Sequence, residues 1–307
     1  MKRLSFLLLA LFCATMSLSA QQLKVGSYNI RYHNEGDSIR GNGWQQRLPY
    51  ICDILNYEQP EVFGAQEVLV DQLHDLLRLL PDYDYIGIGR DDGKEAGEYE
   101  AIFYNRKKVR LLNQGHFWLS ENPDRPGLGW DAVCIRICSW GKFKDCVSGK
   151  KFFYFNLHMD HVGIVARREA AKLVVQKIRD IAQGAPVVLT GDFNVDQTNE
   201  IYTVFTESGL LKDCFIAAER KLAPNGTFNS FDPDLKTESR IDHIFVSPQT
   251  KVERYAVRTD CYWTVRTDDE SLVSKKGFDA PQEISFQSYE RRTPSDHYPV
   301  FAKIKLR

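Results

Sequence analysis

Short apolar stretches recur along the whole chain, and most of them have the pattern of β-strands. Residues 23–30 alternate between apolar and polar side chains, which predicts a strand with one buried face. Residues 186–190 form an uninterrupted apolar run between turn-forming residues, which predicts a strand buried on both faces. By the same criteria, further strands are predicted at 62–65, 83–89, 100–104, 109–118, 132–144, 151–157, 227–228, 241–246 and 298–305.

Other stretches have apolar residues at helical spacing. Residues 47–56 form one of them, and Pro49 would fit only in the first turn of that helix. Residues 31–44 are polar and rich in Gly, Asn and Asp, which predicts an exposed loop. The other predicted helices cover residues 73–80, 170–181 and 199–208.

Strands and helices are mixed along the chain, without a linker rich in proline or serine and without an internal repeat. This arrangement predicts one α+β domain over residues 21–307. Helices on both outer faces of two packed, mostly antiparallel sheets would account for the many strands and few long helices.

The first 20 residues are predicted to form a cleaved signal peptide. Lys2 and Arg3 precede a short apolar core, and small residues follow it before Gln21. A buried N-terminal helix is the alternative. No later stretch is apolar enough to cross a bilayer, so we expect a secreted or periplasmic protein without a stable membrane anchor. The net charge of −1 demands no basic face of the kind that binds nucleic acid indiscriminately.

Six of the seven cysteines lie after the predicted signal peptide. An even number in an exported chain permits disulfides, but the spacings suggest no disulfide framework and no zinc site. We therefore expect mostly buried free thiols. Cys134 and Cys138 are predicted to share one face of a strand.

Polar side chains stand at the ends of several predicted strands. The C-terminal end of one strand lies beside the start of its antiparallel neighbour, so these side chains could meet along one rim. Each taken alone is more often a turn or cap residue, but their joint occurrence at corresponding strand ends is improbable by chance. Five of them follow strands, namely Asn29, Glu67, His158, Asp192 and Asn194, and three precede strands, namely Asp242, Asp296 and His297.

Such a rim has a definite chemistry. Several carboxylates and an amide form an oxygen-rich site that suits Mg²⁺ or Mn²⁺. Two histidines beside them can stabilise a phosphoryl group or move protons. Asp242 could orient His297 and keep it charged. A metal ion with cationic donors is the usual means of stabilising phosphoryl transfer.

The same residues carry a family resemblance that spans almost the whole chain after the signal peptide. The motifs are Ser27-Tyr28-Asn29-Ile30, Gln66-Glu67, Asn156-Leu157-His158-Met159-Asp160, Gly191-Asp192-Phe193-Asn194, Arg240-Ile241-Asp242-His243 and Ser295-Asp296-His297. This series resembles the endonuclease/exonuclease/phosphatase superfamily, in particular its deoxyribonuclease, sphingomyelinase and deadenylase-like members and an exported bacterial branch. The resemblance implies a four-layer αββα sandwich and metal-dependent hydrolysis of phosphate esters by in-line attack of water.

The resemblance implies a role for each site residue. Asp192 would orient or deprotonate the attacking water, and Asn194 would hold the phosphate or the nucleophile. His297, with Asp242 as its partner, would stabilise the phosphoryl group or act as the base instead. His158 would contact the phosphate or protonate the leaving oxygen. The metal ligands would be Glu67, supported by Asn29 and Asp296, and the resemblance leaves open whether one or two ions bind.

Substrate selection is expected from loops above the rim. Arg31, Asn156 and Trp130 are the predicted substrate-binding residues. Trp44 and Trp118 could also stack a base or sugar, with a place in the core as the alternative. The polar segment 259–293 is expected to be an insertion that could form a lid.

The sequence thus favours a monomeric phosphodiester hydrolase acting on a small phosphodiester, a nucleotide or nucleic acid. A sphingomyelinase-like phospholipid phosphodiesterase is one alternative. A secreted binding module without catalysis is the other, although the chain retains all the residues that such a module would be expected to lose.

Overall fold

The computed structural model describes residues 22–265 and 289–306. The predicted signal peptide lies outside these residues, as does the central part of the predicted insertion at 259–293. Within the described part of the chain, no helix is both long and apolar enough to cross a membrane.

The first of two large sheets contains seven strands. In spatial order they are β10 (Arg220–Leu222), β12 (Lys251–Val257), β15 (Val300–Lys305), β1 (Gln22–Asn29), β2 (Val62–Gln66), β4 (Ile102–Asn105) and β3 (Tyr83–Ile86).

The second sheet contains six strands, and a separate two-stranded ribbon completes the β-structure. All neighbouring strands are antiparallel except β1 with β2, β10 with β12, and β7 with β8. The prediction of two mostly antiparallel sheets is therefore confirmed. The order in the second sheet is β5 (Val109–Trp118), β6 (Ile137–Asp145), β7 (Lys151–His158), β8 (Val187–Asp192), β11 (Asp242–Val246) and β9 (Lys212–Asp213), and the ribbon pairs β13 (Tyr262–Val265) with β14 (Tyr289–Arg292).

Helices cover the outer face of each sheet, which makes four layers. Helices α2 and α3 pack on the first sheet around Phe63, and α4 and α5 pack on the second around Phe245. The inner faces of the sheets meet in a third apolar cluster that includes Tyr154 and Val300. The helices are α1 (Glu35–Ile39), α2 (Trp44–Glu58), α3 (Val70–Leu79), α4 (Ile164–Ala182), α5 (Glu200–Thr206) and α6 (Cys214–Ala217).

The prediction of an exposed loop at residues 31–44 was wrong in part, because this segment contains α1 and a buried carboxylate. The Asn34 side chain caps α1 by accepting a hydrogen bond from the Asp37 N–H at 2.8 Å. The Asp37 carboxylate is buried and lies 2.8 Å from Nε of Arg31. Residues 31–44 therefore form partly buried, ordered structure beside the strand ends.

Helix α2 begins at Trp44, earlier than predicted, so Pro49 lies inside the helix and not in its first turn. The start is fixed by the Gln46 side chain, which accepts a hydrogen bond from the Gly43 N–H at 3.2 Å. Proline has no N–H to donate, so the helix lacks one backbone hydrogen bond at this position.

The described cysteines are free thiols, as predicted, but only Cys52, Cys138 and Cys214 are buried. Strand β6 begins at Ile137, so Cys134 does not share a strand face with Cys138 as predicted. The backbone before β6 is irregular because the Cys134 N–H donates to the Asp160 carboxylate at 3.1 Å.

Candidate active site

Strand register brings the predicted residues to one rim of the sandwich. In the first sheet, Asn29 is opposite Gln66, so the ends of β1 and β2 coincide. In the second sheet, Asp192 is opposite both His158 and Asp242. The two sheets pack face to face, and the amide nitrogen of Asn29 reaches Oδ2 of Asp192 at 3.1 Å. The rim is therefore built from strand ends of both sheets.

Unusual backbone conformations turn the side chains into this rim. Arg31, Glu67 and Asn194 have φ angles of 59°, 60° and 50°, in the left-handed region that larger side chains rarely adopt. Gly191 has a φ of 158°, and a Cβ there would lie 2.3 Å from the carbonyl oxygen of Leu157. Only glycine fits this approach of β8 to β7. Three of the eight described non-glycine residues with positive φ therefore lie where the polar side chains converge.

The Asp192 carboxylate lies at the centre of the rim. Besides Asn29, its Oδ2 lies 3.4 Å from Nε2 of His158 and 3.6 Å from Nε2 of His297. Its Oδ1 accepts a hydrogen bond from the Asn194 N–H at 2.9 Å. Burial raises the pKa of Asp192 to about 7, with a further contribution from the charge of Asp242. A carboxyl with this pKa is suited to exchanging a proton at neutral pH.

His297 is held by Asp242, as the sequence suggested. Its Nδ1 lies 2.9 Å from Oδ2 of Asp242, and both side chains are buried. Burial alone would lower the pKa of His297, but the charges of Asp242 and Asp192 outweigh it and raise the pKa well above its ordinary value. His243 faces away and its Nε2 lies 3.0 Å from the carbonyl oxygen of Val195, so it is structural.

His158 differs from His297 in charge. Burial and the nearby Arg136 and Arg90 guanidinium groups lower the pKa of His158 well below its ordinary value, so the ring is neutral. Its Nε2 lies 3.0 Å from the amide nitrogen of Asn194 and accepts its hydrogen bond. The two histidines on this rim therefore offer different chemistry, one a cation and one a neutral ring.

Glu98 is a site residue that the sequence analysis missed. Its carboxylate binds Arg90 with two hydrogen bonds of 2.6 and 2.9 Å, and its Oε2 lies 4.0 Å from Nδ1 of His158. Burial raises the pKa of Glu98. Glu98 lies in a charged, glycine-containing segment between two strands, where the pattern indicated only a loop.

Glu67 and Asp296 form the acidic end of the rim. Both carboxylates lie near Nη1 of Arg31, at 3.9 and 3.8 Å, and the Tyr32 N–H donates to Glu67 at 3.1 Å. Burial raises the pKa of Asp296; the positive charge of His297 opposes this, and the negative charge of Glu67 adds to it. The two carboxylates lie close enough for their negative charges to repel. Carboxylate oxygens are the ligands that Mg²⁺ or Mn²⁺ prefers, so Glu67 and Asp296 fit a divalent cation.

Asn29 lies between the two ends of the rim. Its amide nitrogen donates to Glu67 at 3.0 Å as well as to Asp192, while its oxygen accepts the Arg31 N–H at 3.0 Å. In this orientation Asn29 holds the two carboxylates near each other. Its amide oxygen, the atom that would bind a metal ion, is turned towards the backbone.

The prediction that Asn156 contacts substrate is contradicted by the structure. Asn156 has no exposed surface, and it donates to the carbonyl oxygens of Ala65 and Ala101 at 2.9 and 3.0 Å. Its own oxygen accepts from Gln66 at 2.6 Å and from Thr190. Asn156 therefore links the two sheets beneath the rim.

The tryptophans divide between core and loop. Trp44 and Trp118 are buried, and Nε1 of Trp118 donates to the carbonyl oxygen of Arg90 at 2.8 Å. The core alternative is therefore correct for both. Trp130 is half-buried in the segment between β5 and β6, where it packs against the apolar cluster of α4, α5 and the second sheet. Arg31 remains partly exposed at the rim, with 25% of its side chain accessible.

Comparisons with known proteins agree with this arrangement. The chain is 50% identical to a mannosyl-6-phosphatase of Bacteroides thetaiotaomicron over 92% of this chain and 99% of that one, with a TM-score of 0.84. An endonuclease/exonuclease/phosphatase family protein of the same species is 49% identical, with 92% and 98% covered and a TM-score of 0.85. Human tyrosyl-DNA phosphodiesterase 2 is 24% identical over 52% of this chain and 40% of its own length. The model of the Endonuclease/Exonuclease/phosphatase family matches residues 26–297, and this chain belongs to that family.

Proposed function

We propose that the protein is a metal-dependent phosphoesterase that hydrolyses a small phosphate ester, with a sugar 6-phosphate as its first candidate substrate. The observation that carries this proposal is the convergence of Asn29, His158 and His297 on the Asp192 carboxylate. The mannosyl-6-phosphatase that is 50% identical supports the choice of a sugar phosphate.

The charge distribution also favours a small substrate. A nuclease usually neutralises several phosphates with lysine and arginine. Here the net charge is −1, and the arginines at the rim are paired with carboxylates, Arg31 with Asp37 and Arg90 with Glu98. A phosphomonoester needs only one anion site. A phosphodiester is the second candidate, because the resemblance extends to tyrosyl-DNA phosphodiesterase 2.

In the proposed mechanism, Asp192 orients the attacking water and accepts its proton. A pKa of about 7 suits this role near neutral pH. The His297 cation, held in place by Asp242, faces the same space and stabilises the negative charge that develops on the phosphoryl oxygens.

The neutral ring of His158 is assigned to hydrogen bonding and not to proton donation, so the leaving oxygen would take its proton from solvent water. Its low pKa makes the charged form rare in the free protein. Asn194 donates to Nε2 of His158 and also to the carbonyl oxygen of Met159 at 2.9 Å, which fixes the ring beside Asp192. Together they would hold the phosphate or the leaving oxygen in line with the water.

Glu67 and Asp296 would hold the divalent cation, with Asn29 beside them. Such an ion, when bound, would neutralise charge on the phosphoryl oxygens. Arg31 lies within 4 Å of both carboxylates and would remain at the edge of the site to contact the substrate.

We also propose that residues 1–20 direct export and that the mature protein is a monomer in the periplasm or outside the cell. N-terminal sequencing of protein purified after expression of the full chain tests the first point. A mature N-terminus near Gln21 is expected, and retention of Met1 would contradict it.

A substrate panel tests the proposed activity. Purified protein with Mg²⁺ would be assayed on mannose 6-phosphate, other sugar phosphates, bis(p-nitrophenyl) phosphate, RNA, DNA and sphingomyelin, with Asp192→Ala as the blank. The proposal predicts the highest kcat/KM on a sugar 6-phosphate. A preference for a nucleic acid or for sphingomyelin would contradict it.

A further inference from the structure

Four cations form a row across neighbouring strands of the first sheet, away from the candidate active site. Arg220 is opposite Arg254, Arg254 is opposite Lys303, and Lys303 is opposite Lys24. Residues directly opposite each other on adjacent strands project from the same face of the sheet. The row therefore presents two guanidinium and two ammonium groups on one surface.

A surface cavity of about 490 Å³ is lined by all four members of this row. Phe301 and Leu222 contribute apolar surface to it. The volume is in the range of sites that bind small molecules. Cavity and row thus coincide on the outer face of the sheet, beside α2.

Most of this charge is not balanced by the described part of the protein. Lys24 pairs with Glu58 at 2.9 Å. No described carboxylate oxygen lies within 4.0 Å of the charged nitrogens of Arg220, Arg254 or Lys303. Glu253, the nearby acid on β12, pairs directly with Lys305 at 2.7 Å and attracts Lys303 only from beyond ion-pair distance. Like charges directly opposite each other destabilise a sheet, so the row carries a cost that a bound anion would remove.

We propose that this cavity is a binding site for a small polyanion, a molecule that carries two or more phosphate groups. Arginine guanidinium groups match the geometry of phosphate oxygens and can bind them with paired hydrogen bonds. Several cations in a row favour a ligand with several anionic groups over one with a single group.

The site is distinct from the candidate active site. Lys24 precedes Asn29 by five residues on β1, which corresponds to roughly 17 Å at the rise of an extended strand. Residues of the row make none of the hydrogen bonds described at the rim. Polyanion binding at this cavity therefore does not depend on the proposed activity at the rim.

Calorimetric titration with tripolyphosphate tests the proposal. The measurement would use full-length mature protein at low ionic strength with a chelator present, so that metal-dependent binding at the rim does not contribute. Wild type should bind with about one ligand per chain, and Arg254→Gln or Lys303→Gln should each weaken binding about tenfold, as for the loss of one charge-assisted hydrogen bond. Phosphoesterase turnover should be unchanged in both variants.

Lys144→Gln is the matched control. Lys144 belongs to another cross-strand row of cations, Arg110–Lys144–Lys151, in the second sheet. Its replacement should leave tripolyphosphate binding within about twofold of wild type. Without the anion, Arg254→Gln should raise the melting temperature by removing repulsion. Equal binding by wild type, Arg254→Gln and Lys303→Gln would overturn the proposal, as would equally tight binding of inorganic phosphate.

Discussion

His297 is held between two carboxylates, with Nδ1 at 2.9 Å from Asp242 and Nε2 at 3.6 Å from Asp192. The contact with Asp242 orients the imidazole ring and stabilises its protonated form. The contact with Asp192 places the charged Nε2 beside the carboxylate that would activate water. The strand β11 that carries Asp242 pairs with β8, which carries Asp192, so the register of two strands sets the spacing.

Replacing Asp242 with asparagine should make His297 lose its proton at lower pH. The charge of Asp242 is the largest contribution that raises the pKa of His297, and Asn retains the shape without the charge. We expect kcat to fall by about 10²–10⁴ and the alkaline limb of the pH–rate profile to move to lower pH. An unchanged alkaline limb would show that His297 does not titrate in the active form.

His297 should also contribute to stability in a pH-dependent way. Its folded-state pKa lies above the unfolded value of about 6.5, so its stabilising contribution is complete below that pH and is lost as pH rises through the folded-state pKa. The difference in free energy of unfolding between wild type and His297→Gln should therefore narrow as pH rises. Urea denaturation of both proteins at several pH values measures this difference in free energy of unfolding. A difference that widens as pH rises would contradict a raised pKa of His297 in the folded state.

Glu67→Gln should weaken binding of Mg²⁺ or Mn²⁺, since it removes one of two converging carboxylate charges. Calorimetric titration with Mn²⁺ measures this directly, and turnover should then require a higher metal concentration. Glu207→Gln, at an exposed glutamate after α5, is the matched control. If Glu67→Gln binds Mn²⁺ as tightly as wild type, the metal ion is held elsewhere.

Asn156→Ala should destabilise the fold without altering the residues of the rim. It would remove one donor from each of the buried carbonyl oxygens of Ala65 and Ala101, although the Ala65 N–H still donates to Ala101, and it would remove an acceptor from Gln66. The expected cost is about 2 kcal/mol. Gly64 packs directly against this side chain, since a Cβ there would lie 2.2 Å from the Asn156 oxygen. Chemical denaturation should show a lower free energy of unfolding for Asn156→Ala. Asn113→Ala, at an exposed position on β5, is the control and should unfold with the free energy of wild type. Wild-type stability in Asn156→Ala would refute this role.

The rim was predictable because its residues stand at strand ends that the hydrophobic pattern marks clearly. Strand β5 was predicted with its observed bounds, Val109–Trp118. Strand β12 was missed because a bulge between Val252 and Arg254 interrupts its alternation. Helix α1 has too few residues for a helical period to show, and its Asn34 cap is equally typical of a turn.

Residues that act through tertiary contacts were harder to predict. Glu98 joins the site only because its loop folds back onto His158, a contact between residues far apart in sequence. Asn156 belongs to a motif of the family, but the motif does not show that its side chain lies between the sheets. Burial of Trp118 likewise depends on Arg90, whose carbonyl oxygen accepts its N–H.

The most direct test of the proposed function is phosphate release from mannose 6-phosphate in the presence of Mg²⁺, measured for wild type and Asp192→Asn. We expect turnover by wild type, its loss on addition of a chelator, and a decrease of about 10²–10⁴ in kcat for a correctly folded Asp192→Asn protein. Turnover that survives chelation, or that is equal in Asp192→Asn and wild type, would contradict it.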